Sequence, residues 1–206
     1  MNSVLIIPLL MLTLQGGFST FSFCKEYSRG QYAFQCIDLD ASGGGTFKFQ
    51  PFGADTMDVP LELSADVAAE FVRLLSETDF IAEGDRYESS RTYADLGMKK
   101  LVVEGPWGQR EAAFNYTDLG EVRSLATFFE RLIGQELMVF DIDTSLQFDR
   151  LSIPRKLDGM ERALRAGRIV DRHRLIPILD KIVADRRLVN IARTMATRLK
   201  RQIEDD

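Results

Sequence analysis

Gln31-Tyr32-Ala33-Phe34-Gln35-Cys36-Ile37-Asp38-Leu39-Asp40, followed by Ala41-Ser42-Gly43-Gly44-Gly45 and then Thr46-Phe47-Lys48-Phe49-Gln50, is the stretch that decides the fold. In its first limb polar and apolar residues alternate, with Tyr32, Phe34 and Cys36 on one face and Ala33, Gln35 and Ile37 on the other. That period of two predicts a β-strand. The second limb alternates again, and the three glycines between them are a turn signal, so the whole predicts a hairpin. A phosphate-binding loop is excluded, because no Gly-Lys-Ser/Thr follows and the glycines lead into a strand rather than a helix.

Toward the C-terminus, residues 59–63 predict a further short strand. Ser64 stands where a helix cap belongs, and Asp66 lies in the first turn, where the helix dipole favours an acid. Val67, Phe71, Leu74 and Leu75 recur at helical spacing up to about residue 77. Residues 78–95 are polar and loop-like. Residues 101–104 and 111–116 predict a second hairpin, turned by Gly105-Pro106-Trp107-Gly108. Thr117 or Asp118 is expected to cap the next helix, whose apolar positions run from Leu119 to Ile133. Residues 134–151 fit either period, Met138, Phe140 and Ile142 as a strand or Met138, Ile142, Ser145 and Leu146 as a helix. Gly134 alone interrupts the run, which favours one long helix, kinked or straight.

The remainder is helical and well punctuated. Ser152 and Pro154 open a helix that stops at Gly167, a second spans roughly 172–184, and Asp185 is expected to cap a third carrying Leu188, Ile191, Ala192, Met195, Ala196, Leu199 and Ile203 as an apolar stripe. The expected class is α+β: a small antiparallel sheet with two packed helices, followed by a C-terminal helical bundle or hairpin. The expected organisation is a signal peptide at 1–22, an α+β domain at 23–134 and a helical region at 135–206.

The leader reading rests on the first two dozen residues. No charged side chain occurs from Met1 to Phe23, and residues 4–14 are almost unbroken apolar sequence containing Pro8. A run of about 11 residues is too short to cross roughly 30 Å of hydrocarbon as a helix. It has the size of a signal-peptide hydrophobic region, and Gly16, Gly17, Ser19 and Ser22 supply small residues for cleavage. The n-region Met1-Asn2-Ser3 departs from the usual pattern in carrying no Lys or Arg. The competing reading is an N-terminal core strand or a buried hydrophobic tail. Cleavage after Ser19 or Ser22 is expected, so that the mature chain begins between Thr20 and Cys24. Phe23 before Cys24 disfavours a lipoprotein anchor.

Cys24 and Cys36 are the only cysteines. In an oxidising compartment an even count favours a disulfide, which is the expectation here against two unrelated thiols. Two cysteines and the lone His173 do not supply four zinc ligands, so no metal site is expected. Charge is divided: 12 basic and 23 acidic residues between Cys24 and Pro154, against 14 basic and 8 acidic from Arg155 to Asp206. Such asymmetry marks either a binding tail or two parts that dock on each other. With no aromatic residue after Phe148, docking or plain solvation is favoured and a nucleic-acid partner is not expected.

Motifs that carry chemistry each have a simpler reading. Val139-Phe140-Asp141-Ile142-Asp143-Thr144-Ser145-Leu146 resembles the nucleophile motif of haloacid dehalogenase-type phosphatases, but only 60 helical residues follow it and no later strand offers the remaining groups. Asp141 and Asp143 then belong to a solvated helix face. A calcium loop fails for want of its Gly and closing Glu. His173 lies between Arg172 and Arg174 on an apparently solvent-facing turn, a poor place for a catalytic base. Asn115-Tyr116-Thr117 is a glycosylation sequon. Trp107, at the tip of the second hairpin, is the candidate partner-binding residue, either exposed as an anchor or folded back onto the sheet.

The glycine-rich hairpin at Gly43-Gly44-Gly45, the helix opened by Leu63-Ser64-Ala65-Asp66 and ending in Glu77-Thr78-Asp79-Phe80, the two strands at 101–105 and 111–116 and the closing helix together resemble the emfourin-type bacterial inhibitors of thermolysin-like proteases, and small secreted bacterial domains of similar plan. The resemblance covers about residues 34–133. The helices after Arg172, joined at Ala184-Asp185, resemble one unit of a HEAT-type repeat without a second copy. The expectation is a non-catalytic module of the secreted or periplasmic space, without cofactor or stable membrane span, that binds another extracytoplasmic protein or serves a structural role. The resemblance implies a second reading, inhibition of a secreted metalloprotease, which calls for a projecting N-terminal segment or hairpin tip.

Overall fold

The computed structural model describes residues 17–82 and 87–205. The apolar run at 4–14, and with it most of the expected leader, lies outside the described residues. Six strands form one antiparallel sheet: β1 (Thr20–Glu26), β2 (Tyr32–Asp40), β3 (Gly44–Pro51), β4 (Met57–Glu62), β5 (Met98–Gly105) and β6 (Gly108–Phe114). Their order across the sheet is β4-β3-β2-β1-β5-β6. The chain lays down four strands as a meander, crosses over with the helix α1 (Ala65–Glu77), and adds β5 on the far side of β1.

The register explains the alternation in the sequence. Val59, Phe47, Ile37, Phe23, Leu101 and Ala112 line up across all six strands on one face. The other face carries Asp58, Lys48, Cys36, Cys24, Lys100 and Ala113 in the adjacent row. The first face is covered by α1 and by the N-terminal half of α2 (Gly120–Phe148). Phe129 is the hub of that core, stacked on Phe21 at 4.8 Å and Phe23 at 5.4 Å and meeting Phe71 edge-on at 5.4 Å. Burying each such ring stabilises the fold by about 2–3 kcal/mol relative to exposure.

The ambiguous stretch at 134–148 is helix. α2 is one 29-residue element, about 43 Å long at 1.5 Å per residue. Its first half buries Val122, Leu125, Phe129 and Leu132 against the sheet; its second half buries Ile142 and Leu146 in a separate core with α3 (Ile153–Arg165), α4 (Ile176–Ala184) and α5 (Asn190–Asp205). α3 ends at Gly167, whose φ of 61° is the left-handed conformation that stops a helix. Of the expected stripe, Leu188, Ala192, Ala196, Leu199 and Ile203 are buried and Met195 is partly buried against them, but Ile191, in the first turn of α5, is 61% exposed.

Several local readings need correction. The expected leader at 1–22 takes in Thr20, Phe21 and Ser22, yet these open β1, the fourth strand in sheet order, and Phe18 and Phe21 are buried in the main core. A cut after Ser22 would split β1 and remove Phe21. Tyr32 does not share a face with Cys36: a bulge between Tyr32 and Phe34 turns its ring to the helix side, edge-on to Phe49 at 5.8 Å. Ser64 is the N-cap of α1, but its hydroxyl makes no cap hydrogen bond. Leu119 is the N-cap of α2, with its N–H donated to Thr117 Oγ1 at 3.2 Å. Asp185 holds the turn before α5 by accepting from the Arg187 backbone at 2.9 Å, and the helix itself begins at Asn190.

Candidate interaction surface

Cys24 and Cys36 are joined by a disulfide and lie directly opposite each other in the sheet, Cα to Cα 4.1 Å apart. The bridge sits on the face away from the helices, between Lys48 and Lys100 in the same row. Lys48 pairs with Asp38 at 2.9 Å, Lys100 with Glu111 at 3.0 Å, and Ser22 donates to Asp38 at 2.6 Å. This face is therefore polar, cross-linked and locally neutralised.

So short a Cα separation marks a non-hydrogen-bonded pair. The main-chain polar groups of Cys24 then face Lys100, those of Lys100 face Cys24, and those of its β6 partner Ala113 face outward. By alternation Gln109 and Glu111 also direct their N–H and C=O groups away from the sheet. At the opposite margin the Leu63 N–H donates to Gly43 O at 3.0 Å, which leaves the groups of Glu62 and Pro60 facing outward on β4.

The two margins are treated differently. On β4, Pro60 has no N–H to offer. Its carbonyl and that of Glu62 accept from Arg174 at 3.5 and 3.2 Å, and the Ser64 N–H donates to Asp171 Oδ2 at 2.7 Å. Arg174 is held for this task by Glu136 of α2, which is 2% exposed and accepts from Nε at 2.9 Å and Nη2 at 2.7 Å. Burial opposes the Arg174 charge, but the Glu136 hydrogen bonds outweigh it and raise its pKa above the usual guanidinium value. Asp171 is fully buried, and its other oxygen accepts from the His173 N–H at 3.1 Å. Gln135 completes the junction, accepting from the N–H groups of Val170 and Asp171 and donating to Asp171 O at 2.9 Å. The segment 170–174 thus closes the β4 margin at Pro60, Glu62 and Ser64, while Asp58, which faces outward by the same alternation, lies beyond its reach.

Nothing comparable covers β6. Among the described residues, the Asn115 N–H past its end donates to Glu88 at 2.6 Å, while the outward groups of Gln109, Glu111 and Ala113 have no partner. Trp107 stands in the turn that begins this strand. Its ring packs on Phe80 at 5.3 Å, lies under the Arg110 guanidinium at 4.9 Å and is half-buried. Gly105 is required beneath it, since a Cβ there would come within 2.6 Å of the indole. The indole at the tip of the β5–β6 hairpin is therefore folded back between Phe80 and Arg110, with its Nε1 buried, instead of projecting as an inhibitor finger would.

The other sequence candidates are dispersed. Asp141 pairs with Lys156, and Asp143 with Lys181 at 2.7 Å, both on α2. His173 is exposed on a single helical turn before α4. The Asn115 side chain is committed structurally, donating to Ala94 O and accepting from the Leu96 N–H, and Thr117 of the sequon is buried. Arg174, Asp171 and Gln135 were not anticipated; Glu136 carried a signal, an acid three residues after Ile133 and four after Leu132 within an apolar stripe. Among the described residues no group of three or more His, Cys, Asp or Glu is arranged to hold a metal, and no helix is long and apolar enough to cross a membrane. No family model matches the chain, and no curated protein matches it either.

Proposed function

We propose that this chain is a non-catalytic module of an oxidising, extracytoplasmic compartment that binds an extended segment of another protein along β6. The observation that carries the reading is the contrast between the margins: β4 is closed by Pro60, Arg174 and Asp171, whereas Gln109, Glu111 and Ala113 leave an unpaired ladder. An added strand satisfies such a ladder with main-chain hydrogen bonds, and neighbouring side chains give selectivity. Here the neighbours are Trp107 and Arg110 at one end and the Lys100–Glu111 pair along the open face. The Cys24–Cys36 disulfide supports the compartment, where such bonds persist. In this reading the leader is removed before Phe18, which keeps β1 and the core intact.

The test is photo-crosslinking in the extracytoplasmic fraction with a reactive side chain at Gln109, and at Glu62 of β4, whose carbonyl Arg174 covers, as control. Crosslinks to a different protein from Gln109 only are expected. Glu111→Pro removes an outward N–H without touching the β5 ladder and should abolish capture at an unchanged melting temperature. Equal crosslinking from Glu62, or capture that survives Glu111→Pro, overturns the proposal. Crosslinks solely between two copies assign the margin to self-association.

A further inference from the structure

At the far end of α2 the chain exposes large apolar side chains where a folded protein ordinarily hides them. Phe148 is 82% and Leu151 84% exposed, on the turn that joins α2 to α3. Val189, also exposed, lies on the turn between α4 and α5, and the exposed Ile191 in the first turn of α5. The two turns are neighbours, because Arg150 Nε stands 3.8 Å from Asp185 Oδ2. The cations here are mostly arginines, Arg150, Arg155, Arg186 and Arg187, with Lys181 beside them and the acids Asp149 and Asp185 among them. Asp185 pairs with both Arg150 and Arg187; hydrogen bonds from the Arg187 side chain and backbone, and then the charges of the two guanidinium groups, hold its carboxyl down at about 2. Among the described residues Arg155 and Arg186 have no ion-pair partner.

We infer that this tip docks on an anionic lipid surface. The exposed apolar side chains do not line the cleft between the two turns, whose walls are mostly polar (Gln147, Arg150, Asp185, Arg187), so they offer a protein no shared apolar pocket, whereas the headgroup region of a bilayer admits them without shape complementarity. Guanidinium groups around them match lipid phosphates bidentately and are weakly hydrated, which suits an interface. Surface attraction adds for each basic residue and is screened by salt. The attachment is peripheral, two turns inserted to side-chain depth, and is independent of the β6 margin.

Sedimentation of the full disulfide-bonded chain with vesicles tests this, using phosphatidylcholine alone and phosphatidylcholine with about one-third phosphatidylglycerol. Binding to the anionic vesicles only, weakening with added salt, is the expected result. Arg186→Gln should lower the partition about fivefold. Phe148→Ser with Leu151→Ser should lower it at least tenfold at an unchanged melting temperature, since both residues are exposed. Equal binding to both vesicle types, no binding to either, or indifference to the double substitution overturns the inference. A dimer in solution that the double substitution dissociates, in a chain that ignores vesicles, assigns the tip to a second copy instead.

Discussion

Arg174 grips Glu136 through two nitrogens, at 2.9 and 2.7 Å, while its remaining donors reach the carbonyls of Pro60 and Glu62 more than 110 residues earlier in the chain. One side chain thereby ties the middle of α2 to the margin of the sheet. Removing one partner of a buried pair strands the other, at about 3–5 kcal/mol. Arg174→Met should destabilise by that amount in urea titration and should also make the protein self-associate, because the β4 carbonyls are freed. Glu136→Leu combined with Arg174→Leu should cost less than the two single changes together. Strict additivity in that cycle would show that the pair is uncoupled.

Deleting residues 168–206 removes both the cover of Pro60 and Glu62 and the helices α4 and α5, leaving α3 alone of the core around Ile142 and Leu146. The shortened chain is expected to aggregate, as light scattering would detect. A monomer with an unchanged melting temperature would show that the helices are an independent appendage.

Phe129→Ala should destabilise by about 3–5 kcal/mol, since four rings (Phe21, Phe23, Phe71 and Phe128) pack directly on it and α2 and the sheet have little freedom to close the space. Chemical denaturation of the purified variant measures this directly.

Non-reducing peptide mapping should recover Cys24 and Cys36 in one linked species. Replacing both with Ala should cost about 3 kcal/mol on the chain-entropy account of so short a loop. Free thiols in material from an oxidising compartment would contradict the assignment.

Acid should weaken the β2–β3 turn. Asp40 accepts from the Ser42 hydroxyl at 2.6 Å and from the N–H groups of Ser42 and Gly44, and those bonds hold its pKa below the usual carboxylate value. The folded state thus binds its proton less tightly than the unfolded chain, whose value is about 3.9. Its contribution is complete well above that pH and is lost as pH falls through the lowered folded value. Asp40→Asn should flatten the acid limb of a stability–pH profile; an unchanged limb would rule the residue out.

Much of the fold was legible because the relevant signals are local. The alternation around Gly43–Gly45, the stripe of α1 and the stop at Gly167 each reside within a dozen residues. β1 was not legible, although Phe21-Ser22-Phe23-Cys24 alternates, because it follows directly on an apolar run and small residues that carry a processing signal. The continuity of α2 was read from the lack of turn residues, a weak cue that the packing of Ile142 and Leu146 makes decisive. The candidate surface was the least legible part. Which strand lies at a margin depends on β5 joining β1 after a crossover, and which arginine covers a margin depends on contacts across more than a hundred residues. No local pattern distinguishes Arg174 from Arg172 or Arg186.

The place of β1 also governs the order of events during synthesis. It is made first among the strands and receives β2 within a few residues, but its other side waits for β5, beyond α1 and a long loop. Until Met98 has emerged, the growing chain holds a half-built sheet with the flank of its phenylalanine-rich strand uncovered. A holding factor or an unfolded passage across a membrane is most useful in that interval, and after it the sheet closes over the place where a handler would have gripped.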